Sequence, residues 1–190
     1  MFLFFLSFND ANIQSLIEKA KKGDEGAFCS LVRDLEPYVY NLALRLMNGN
    51  RQDAEDMAQE AFLRVYKALP GYKENSSLKT WTLHICKNVC LDEIRKRKVR
   101  INPVDDIPET KADTTDVQEE IISAERRKNL IKAINSLDER AKLLIVMRDI
   151  NGLSYDEIGQ ALYMNIGTVK SSLNRARKRL RKILTEQNLN

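Results

Sequence analysis

The sequence predicts an all-α protein of two small helical domains joined by an acidic linker, and three observations carry that prediction. Only 7 Gly and 4 Pro interrupt 190 residues, while apolar residues recur at three- and four-residue spacing and strand-like alternation is scarce. The 31% charged and 43% hydrophobic residues suit folded, well-solvated helices. The periodicity also breaks once, from Ile101 to Glu120, where Pro103 and Pro108 sit among seven acids and a single Lys111. Such a stretch reads as a flexible tether. The expected partition is an extension over 1–11, a first domain over 12–100, a linker over 101–120 and a second domain over 121–190.

The second domain has the clearest punctuation. Asp138 is placed to cap a helix running through Ile150, and Asn151-Gly152 supplies its left-handed stop. Ser154-Tyr155-Asp156-Glu157 reads as a capping box opening a short helix to about Leu162. Asn165 then caps a last helix whose apolar positions Val169, Leu173, Ala176, Leu180 and Ile183 face a core. Lys170, Ser171, Asn174, Arg175 and Arg177 fall largely on the opposite side.

A short helix, a tight turn and a basic second helix form a helix-turn-helix, whose second helix enters the DNA major groove. Lys170 and Arg175 can reach guanines or phosphates, Ser171 and Asn174 base edges, and Arg177 and Lys178 phosphates. The bland alternative is an α-hairpin with a solvated basic face. Capping, turn length and one-sided charge together favour DNA.

In the first domain, the helix from Arg51 to Leu69 buries Ala54, Met57, Ala58, Ala61, Val65 and Leu69. Asp53, Asp56 and Glu60 make an acidic stripe displaced from that face. The stripe is either a docking surface or a set of acids favouring the helix dipole. After Pro70-Gly71 comes a polar loop, Tyr72 to Ser77, and then a helix from about Leu78 to Lys98. Its inner stripe is Trp81, Ile85 and Val89, and its outer one holds Thr80, His84, Lys87, Asn88 and Arg95. A polar loop with nearby aromatics and a basic helix suits single-stranded DNA with splayed bases. Trp81 shares the apolar stripe, which favours a core role for it.

Charge follows the same division. Net charge is only +4, yet seven bases and no acids lie between Lys170 and Lys182, and six bases against two acids between Lys87 and Arg100. Two basic patches around an acidic segment suit two polyanion-binding surfaces, or else solvated helix faces. Three cysteines, Cys29, Cys86 and Cys90, make no disulfide framework and suit a reducing cytoplasm. With His84 the only histidine, a zinc site lacks ligands, so the cysteines are expected in the core and no metal or other cofactor is expected. The opening Met-Phe-Leu-Phe-Phe-Leu-Ser-Phe is too short to span a bilayer and has no basic leader, so neither membrane insertion nor export is expected. One histidine, no glycine-rich phosphate loop and no coherent nucleophile–base set argue against an enzyme.

From about Ile13 to Leu184 these residues resemble the extracytoplasmic-function sigma factors of RNA polymerase. Asp53 to Phe62 is similar to that family's polymerase-binding helix, and Leu78 to Trp81 with Lys87-Asn88 and Asp92 to Arg97 to its −10 element reader. Gly152 to Ile158 followed by Gly167 to Ser171 is similar to its −35 helix-turn-helix.

The resemblance implies two domains, sigma region 2 and sigma region 4, without the extra regions of housekeeping sigma factors. It implies core RNA polymerase and promoter DNA as partners, and an anti-sigma factor as a further one. Asp53, Asp56, Gln59 and Glu60 would meet a coiled coil of the polymerase's largest subunit. The loop through Asn75, Ser76 and Ser77 would receive a flipped base of the −10 strand, and Thr80, His84, Lys87 and Asn88 would line that strand's path. Lys170, Ser171, Asn174, Arg175 and Arg177 would read the −35 duplex. Three departures stand out: Ser172 where the family commonly has Arg, Tyr163 where a turn commonly has a small residue, and His84 where Arg is frequent.

Overall fold

The computed structural model describes residues 10–100 and 129–187. The expected linker over 101–120, the helical onset near Ile121 and most of the Phe-rich extension lie outside the described residues. Every regular element among the described residues is helical.

Helix α1 spans Asp10–Lys21 and α2 spans Glu25–Leu46. The Asp24 carboxylate caps α2 by accepting from the Ala27 amide at 2.9 Å. Helix α3, Arg51–Ala68, starts in the same way at Asn50, whose side chain accepts from Asp53 N at 3.1 Å. Each cap satisfies an amide that the first helical turn leaves unpaired. A 3-10 turn at Leu69–Gly71 and a short loop lead into α4, Leu78–Arg100. Helix α5 covers 129–135 of the described chain, and α6 is Glu139–Ile145.

Asp138 caps α6 as expected, accepting from Ala141 N at 2.9 Å. The anticipated run to Ile150 does occur, but its last five residues, Val146–Ile150, widen into a π-turn. Gly152 alone supplies the left-handed stop, at φ +73°. Asn151 stays right-handed at φ −90° and turns its buried amide onto the Tyr38 carbonyl at 3.0 Å. Helices α7, Tyr155–Leu162, and α8, Ile166–Gln187, complete the chain.

Small residues let α2, α3 and α4 approach closely, with Ala43, Ala54, Ala61, Leu83, Cys86 and Cys90 fully buried between them. Cys86 and Cys90 are core residues as expected, whereas Cys29 is exposed, because it falls on the side of α2 turned away from Ala27 and Leu31. The neighbouring Cys90 and burial push the Cys86 thiol upward, so it stays protonated. The inner stripe of α4 is rotated from the one expected. Its buried apolar residues past the first turn are Leu83, Cys86, Val89 and Cys90, while Trp81 and Ile85 are half-buried beside them.

Trp81 instead packs on a second cluster made by Ile17, Leu31, Leu35, Leu69, Tyr72 and Leu78. The main cluster does not stop at the first half. It continues from Val39, Leu42 and Leu83 into Leu137, Leu144, Met147, Leu153, Ile158, Val169 and Leu173. The two halves therefore share one apolar core.

Candidate nucleic-acid interface

The helix-turn-helix is built from caps and one close approach. Ser154 and Glu157 form the reciprocal box: Glu157 N donates to Ser154 Oγ at 3.2 Å, and Ser154 N donates to the Glu157 carboxylate at 2.8 Å. Tyr163 ends α7 in the left-handed conformation at φ +53°, where a side chain is unfavourable and Gly is preferred. Asn165 starts α8 by accepting from Thr168 N at 2.8 Å. The turn folds back so tightly that a Cβ on Gly159 would stand 2.7 Å from the Met164 carbonyl oxygen. Gly159 was invisible to periodicity, since a single helical glycine carries no signal without its spatial neighbour.

Val169, Leu173 and Ala176 anchor α8 in the core, and Leu180 and Ile183 continue that face half-buried. Lys170, Ser171, Asn174, Arg175, Arg177 and Lys178 are all exposed. They differ in what holds them. Lys170 Nζ lies 5.8 Å from the Tyr155 ring centre, and Arg175 donates to Ser172 Oγ at 3.3 Å. Arg177 is clasped by both Asp149 oxygens, which raise its already high pKa. A guanidinium already paired with Asp149 braces α8 to the end of the π-turn. Of the bases assigned to DNA, Lys170, Arg175 and Lys178 are held by no carboxylate, and further along the helix Arg181 is exposed as well.

On α3, Asp53 is drawn out of the acidic stripe. Arg97 of α4 donates to its two oxygens at 2.6 and 2.8 Å and to Glu93 at 2.9 Å. This bidentate bond holds the Asp53 carboxyl below its ordinary pKa and raises that of Arg97. Glu60 pairs one turn on with Arg64 at 2.7 Å. Asp56 and Gln59 lie exposed between them.

The loop before α4 is pinned at both ends. Glu74, left-handed at φ +59°, accepts from Lys21 at 2.6 Å and Gln14 at 2.8 Å. Tyr72 is a core residue that donates its hydroxyl to the Ser76 carbonyl and packs 4.8 Å from the Trp81 ring. Ser77 caps α4, its Oγ accepting from Thr80 N at 3.1 Å and pairing with Thr80 Oγ1 at 2.8 Å. Asn75 and Ser77 are exposed and Ser76 is half-buried.

The outer stripe of α4 is covered at its N-terminal end, at Thr80 and His84, while Arg95 further along is exposed. Thr80 is 1% exposed, and its hydroxyl donates to Glu157 of α7 at 3.3 Å. His84 Nδ1 lies 2.7 Å from the Ala161 carbonyl oxygen, and Asn88 Nδ2 lies 3.0 Å from His84 Nε2. A carbonyl can only accept, so Nδ1 carries the proton and Nε2 accepts from Asn88. Burial lowers the His84 pKa, which the Ala161 carbonyl opposes and nearby Lys87 reinforces. The Tyr163 ring meets His84 edge-on at 5.1 Å. Lys87 and Asn88, one turn on, are half-buried. Helix α7 thus lies across the Thr80 and His84 part of the face that the sequence assigned to the −10 strand. In the sequence Glu157 reads as a cap alone, because nothing local marks a contact 77 residues away.

Comparison with known proteins places both halves. Residues 31–100 match Sigma-70 region 2, and residues 127–180 match Sigma-70, region 4. The ECF RNA polymerase sigma factor SigW of Bacillus subtilis (strain 168) is 33% identical over 183 residues, covering 92% of this chain and 97% of the relative. In fold, the chain is similar to CnrH, solved in complex with the cytosolic domain of CnrY, with a TM-score of 0.69, 21% identity and coverage of 92% and 98%. It is likewise similar to the sigma factor RpoE solved with the anti-sigma factor NepR from Bartonella quintana, at a TM-score of 0.64, 24% identity and coverage of 83% and 96%. The two halves with their ordered motifs, and the nearly full-length likeness to SigW, lead to one conclusion: the chain belongs to the extracytoplasmic-function family of RNA polymerase sigma factors.

Proposed function

We propose that this alternative sigma factor, which directs promoter-specific transcription initiation with core RNA polymerase, divides that work among three faces. Asp56, Gln59 and Glu60 on α3 dock the polymerase, with Asp53 setting the pose of α3 against α4 through Arg97. The loop at Asn75, Ser76 and Ser77 captures a −10 base, and Thr80, His84, Lys87 and Asn88 on α4 guide the melted strand. Lys170, Ser171, Asn174, Arg175 and Lys178 on α8 read and hold the −35 duplex. Arg177 joins them at the phosphates when it leaves Asp149.

The observation that carries this reading is the α8 helix itself. It presents a continuous exposed face of bases and small polar residues from its N-terminal half, on a turn fixed by Ser154, Glu157, Gly159 and Asn165. The α8 N-terminus is where a recognition helix meets base edges. The functional division follows the expected boundaries, 12–100 for polymerase and −10 work and 121–190 for the −35 element. The protein works without a catalytic centre of its own, in the cytoplasm, where the polymerase is. No helix among the described residues is long and apolar enough to cross a membrane. The complex of the similar RpoE with NepR supports an anti-sigma factor as a further partner.

Run-off transcription decides it. Core polymerase with the purified chain should initiate at defined sites, and gel shifts on promoter duplex should be weak for the free chain and specific with core enzyme. Tight, specific duplex binding without polymerase would instead mark an ordinary repressor.

A further inference from the structure

Between the start of α6 and the middle of α8 lies a cavity of about 180 Å³, open to solvent. Arg140 lines it from α6, and Arg175 and Arg179, one turn apart, line it from α8. Asp138 is the one carboxylate at its rim. Three guanidinium groups around one carboxylate leave a local excess of positive charge. The space exists because the residues beneath the arginines are small. Ala141 of α6 and Ser172 and Ala176 of α8 line the cavity, and all three are buried.

The charges in this cavity are unevenly matched. Asp138 accepts from Ala141 N at 2.9 Å through one oxygen and from Arg179 through the other, so both of its oxygens are engaged. Arg175 donates to the Ser172 hydroxyl at 3.3 Å, and Arg140 reaches the Met164 sulfur at 3.9 Å. A thioether is a weak acceptor, while a guanidinium carries five N–H donors. Among the described residues, Arg140 and Arg175 thus meet no carboxylate and keep most of their donors unused. The Ser172 hydroxyl, accepting from Arg175, still has its own proton to give.

Such a donor set fits one ligand chemistry. The planar fork of a guanidinium matches the oxygens of a phosphate. At about 180 Å³ the cavity is more than ten times what a single water needs, so a phosphate group fits with waters around it. Position says which phosphate. Arg175 stands both in the cavity and on the α8 face assigned to the −35 duplex, and a helix in the major groove is flanked by sugar–phosphate backbone. We infer that the cavity takes one backbone phosphate of the −35 duplex, held by Arg140 and Arg179 together with Arg175. This rests on the reading of α8 as the duplex-reading helix, and it adds Arg140 and Arg179 to the DNA-binding residues. Arg140 lies outside the helix-turn-helix. A phosphate gripped from α6 and α8 at once carries no base information, but it fixes the register at which α8 lies in the groove.

Methylphosphonate substitution removes the charge of one backbone phosphate at a time. Holoenzyme made from core polymerase and the full chain is titrated against promoter duplexes carrying a single such linkage at each −35 position. The Arg140 side chain is exposed and bonds to no backbone group, so Arg140→Ala should keep the wild-type melting temperature. It should weaken binding roughly three- to tenfold for all −35 sequences alike and lower the salt slope by about one. One methylphosphonate should cost the wild type a similar factor and cost Arg140→Ala nothing further. Arg179→Ala should lose its sensitivity at that same linkage. Asp138→Asn keeps a capping oxygen while removing the negative charge at the rim, and should tighten binding about threefold. Lys182→Ala, at an exposed base beyond the cavity, should leave the effect of that methylphosphonate intact.

If every methylphosphonate costs Arg140→Ala as much as it costs the wild type, the cavity holds no backbone phosphate, and the assignment of α8 to the −35 duplex stands without it. If neither a methylphosphonate nor a −35 base change affects the wild type, both fall together. Inorganic pyrophosphate separates the two sources of a phosphate group. Micromolar binding to the free chain, abolished by Arg140→Ala and without a coupled backbone linkage, would make the cavity a site for a soluble phosphate ester and overturn its assignment to DNA.

Discussion

Arg97 of α4 lays two guanidinium nitrogens on the Asp53 carboxylate of α3, at 2.6 and 2.8 Å, while its Nε holds Glu93 at 2.9 Å. One side chain thereby fixes the angle between the helix that carries the acidic stripe and the helix that carries the basic one. Asp53 is 17% exposed and Arg97 42%, so solvent screens the pair in part. Asp53→Ala should cost about 1–2 kcal/mol by urea unfolding, toward the low end because of that screening. The pH dependence has a definite sign. A carboxyl held below its ordinary value stabilises the fold above about pH 4, and the contribution fades as pH falls through the folded pKa. The wild type should therefore lose more stability on acidification than Asp53→Ala does. Parallel losses would remove the pair from the account.

Docking should respond to different residues of the same helix. Asp56→Lys with Glu60→Lys should weaken competition for core polymerase and leave helical content unchanged, since Asp56 is exposed and Glu60 is only half-buried. Undiminished competition by the folded double variant ends the docking role.

Readout should split along α8. Lys170→Ala or Arg175→Ala should cost ~1–3 kcal/mol at one preferred −35 base, whereas Lys178→Ala should weaken all sequences alike and flatten the salt dependence. Arg177→Ala loses its bonds to Asp149 as well, so it should lower the melting temperature along with affinity. If Lys170, Arg175 and Lys178 prove equally unselective, the division into base and phosphate contacts is wrong.

The helix-turn-helix turn makes a sharper demand. Gly159→Ala places a methyl 2.7 Å from the Met164 carbonyl oxygen, which is backbone and must move. Destabilisation of about 1–3 kcal/mol is expected, together with lost −35 duplex affinity although no DNA-facing side chain has changed. Calorimetry of the isolated variant and duplex binding with core enzyme test both halves of the statement. A normal melting temperature would show that the turn relaxes freely.

Base capture can now be separated from helix capping. Ser77→Ala removes the cap on Thr80 N and should cost about 1 kcal/mol of stability. Asn75 is exposed and caps nothing among the described residues. Asn75→Ala should therefore impair −10 opening, seen by permanganate footprinting, without a change in stability. A pre-melted template should restore part of its activity. Normal opening in Asn75→Ala would remove this residue from the base pocket.

The sequence by itself determined whatever depends on neighbours along the chain. Asp138, the Ser154–Glu157 box and Asn165 cap the helices they were expected to cap, because a cap is a bond across three residues. The core stripe of α8 follows from 3.6-residue periodicity in the same local way. The three ordered motifs made the family legible, and with it the two helical units. Only the tertiary structure decided which polar groups are free. Asp53 and Asp56 look alike in sequence, yet Arg97, 44 residues away, takes one and leaves the other. Thr80 and His84 fall on a polar stripe that any helical wheel would give to solvent, and α7 covers both. Glycine 159 and the Cys29 side of α2 were settled in the same way, by distance in space. Burial and pairing depend on atoms brought together by packing, and periodicity says which face is turned inward but not what comes to rest on the other.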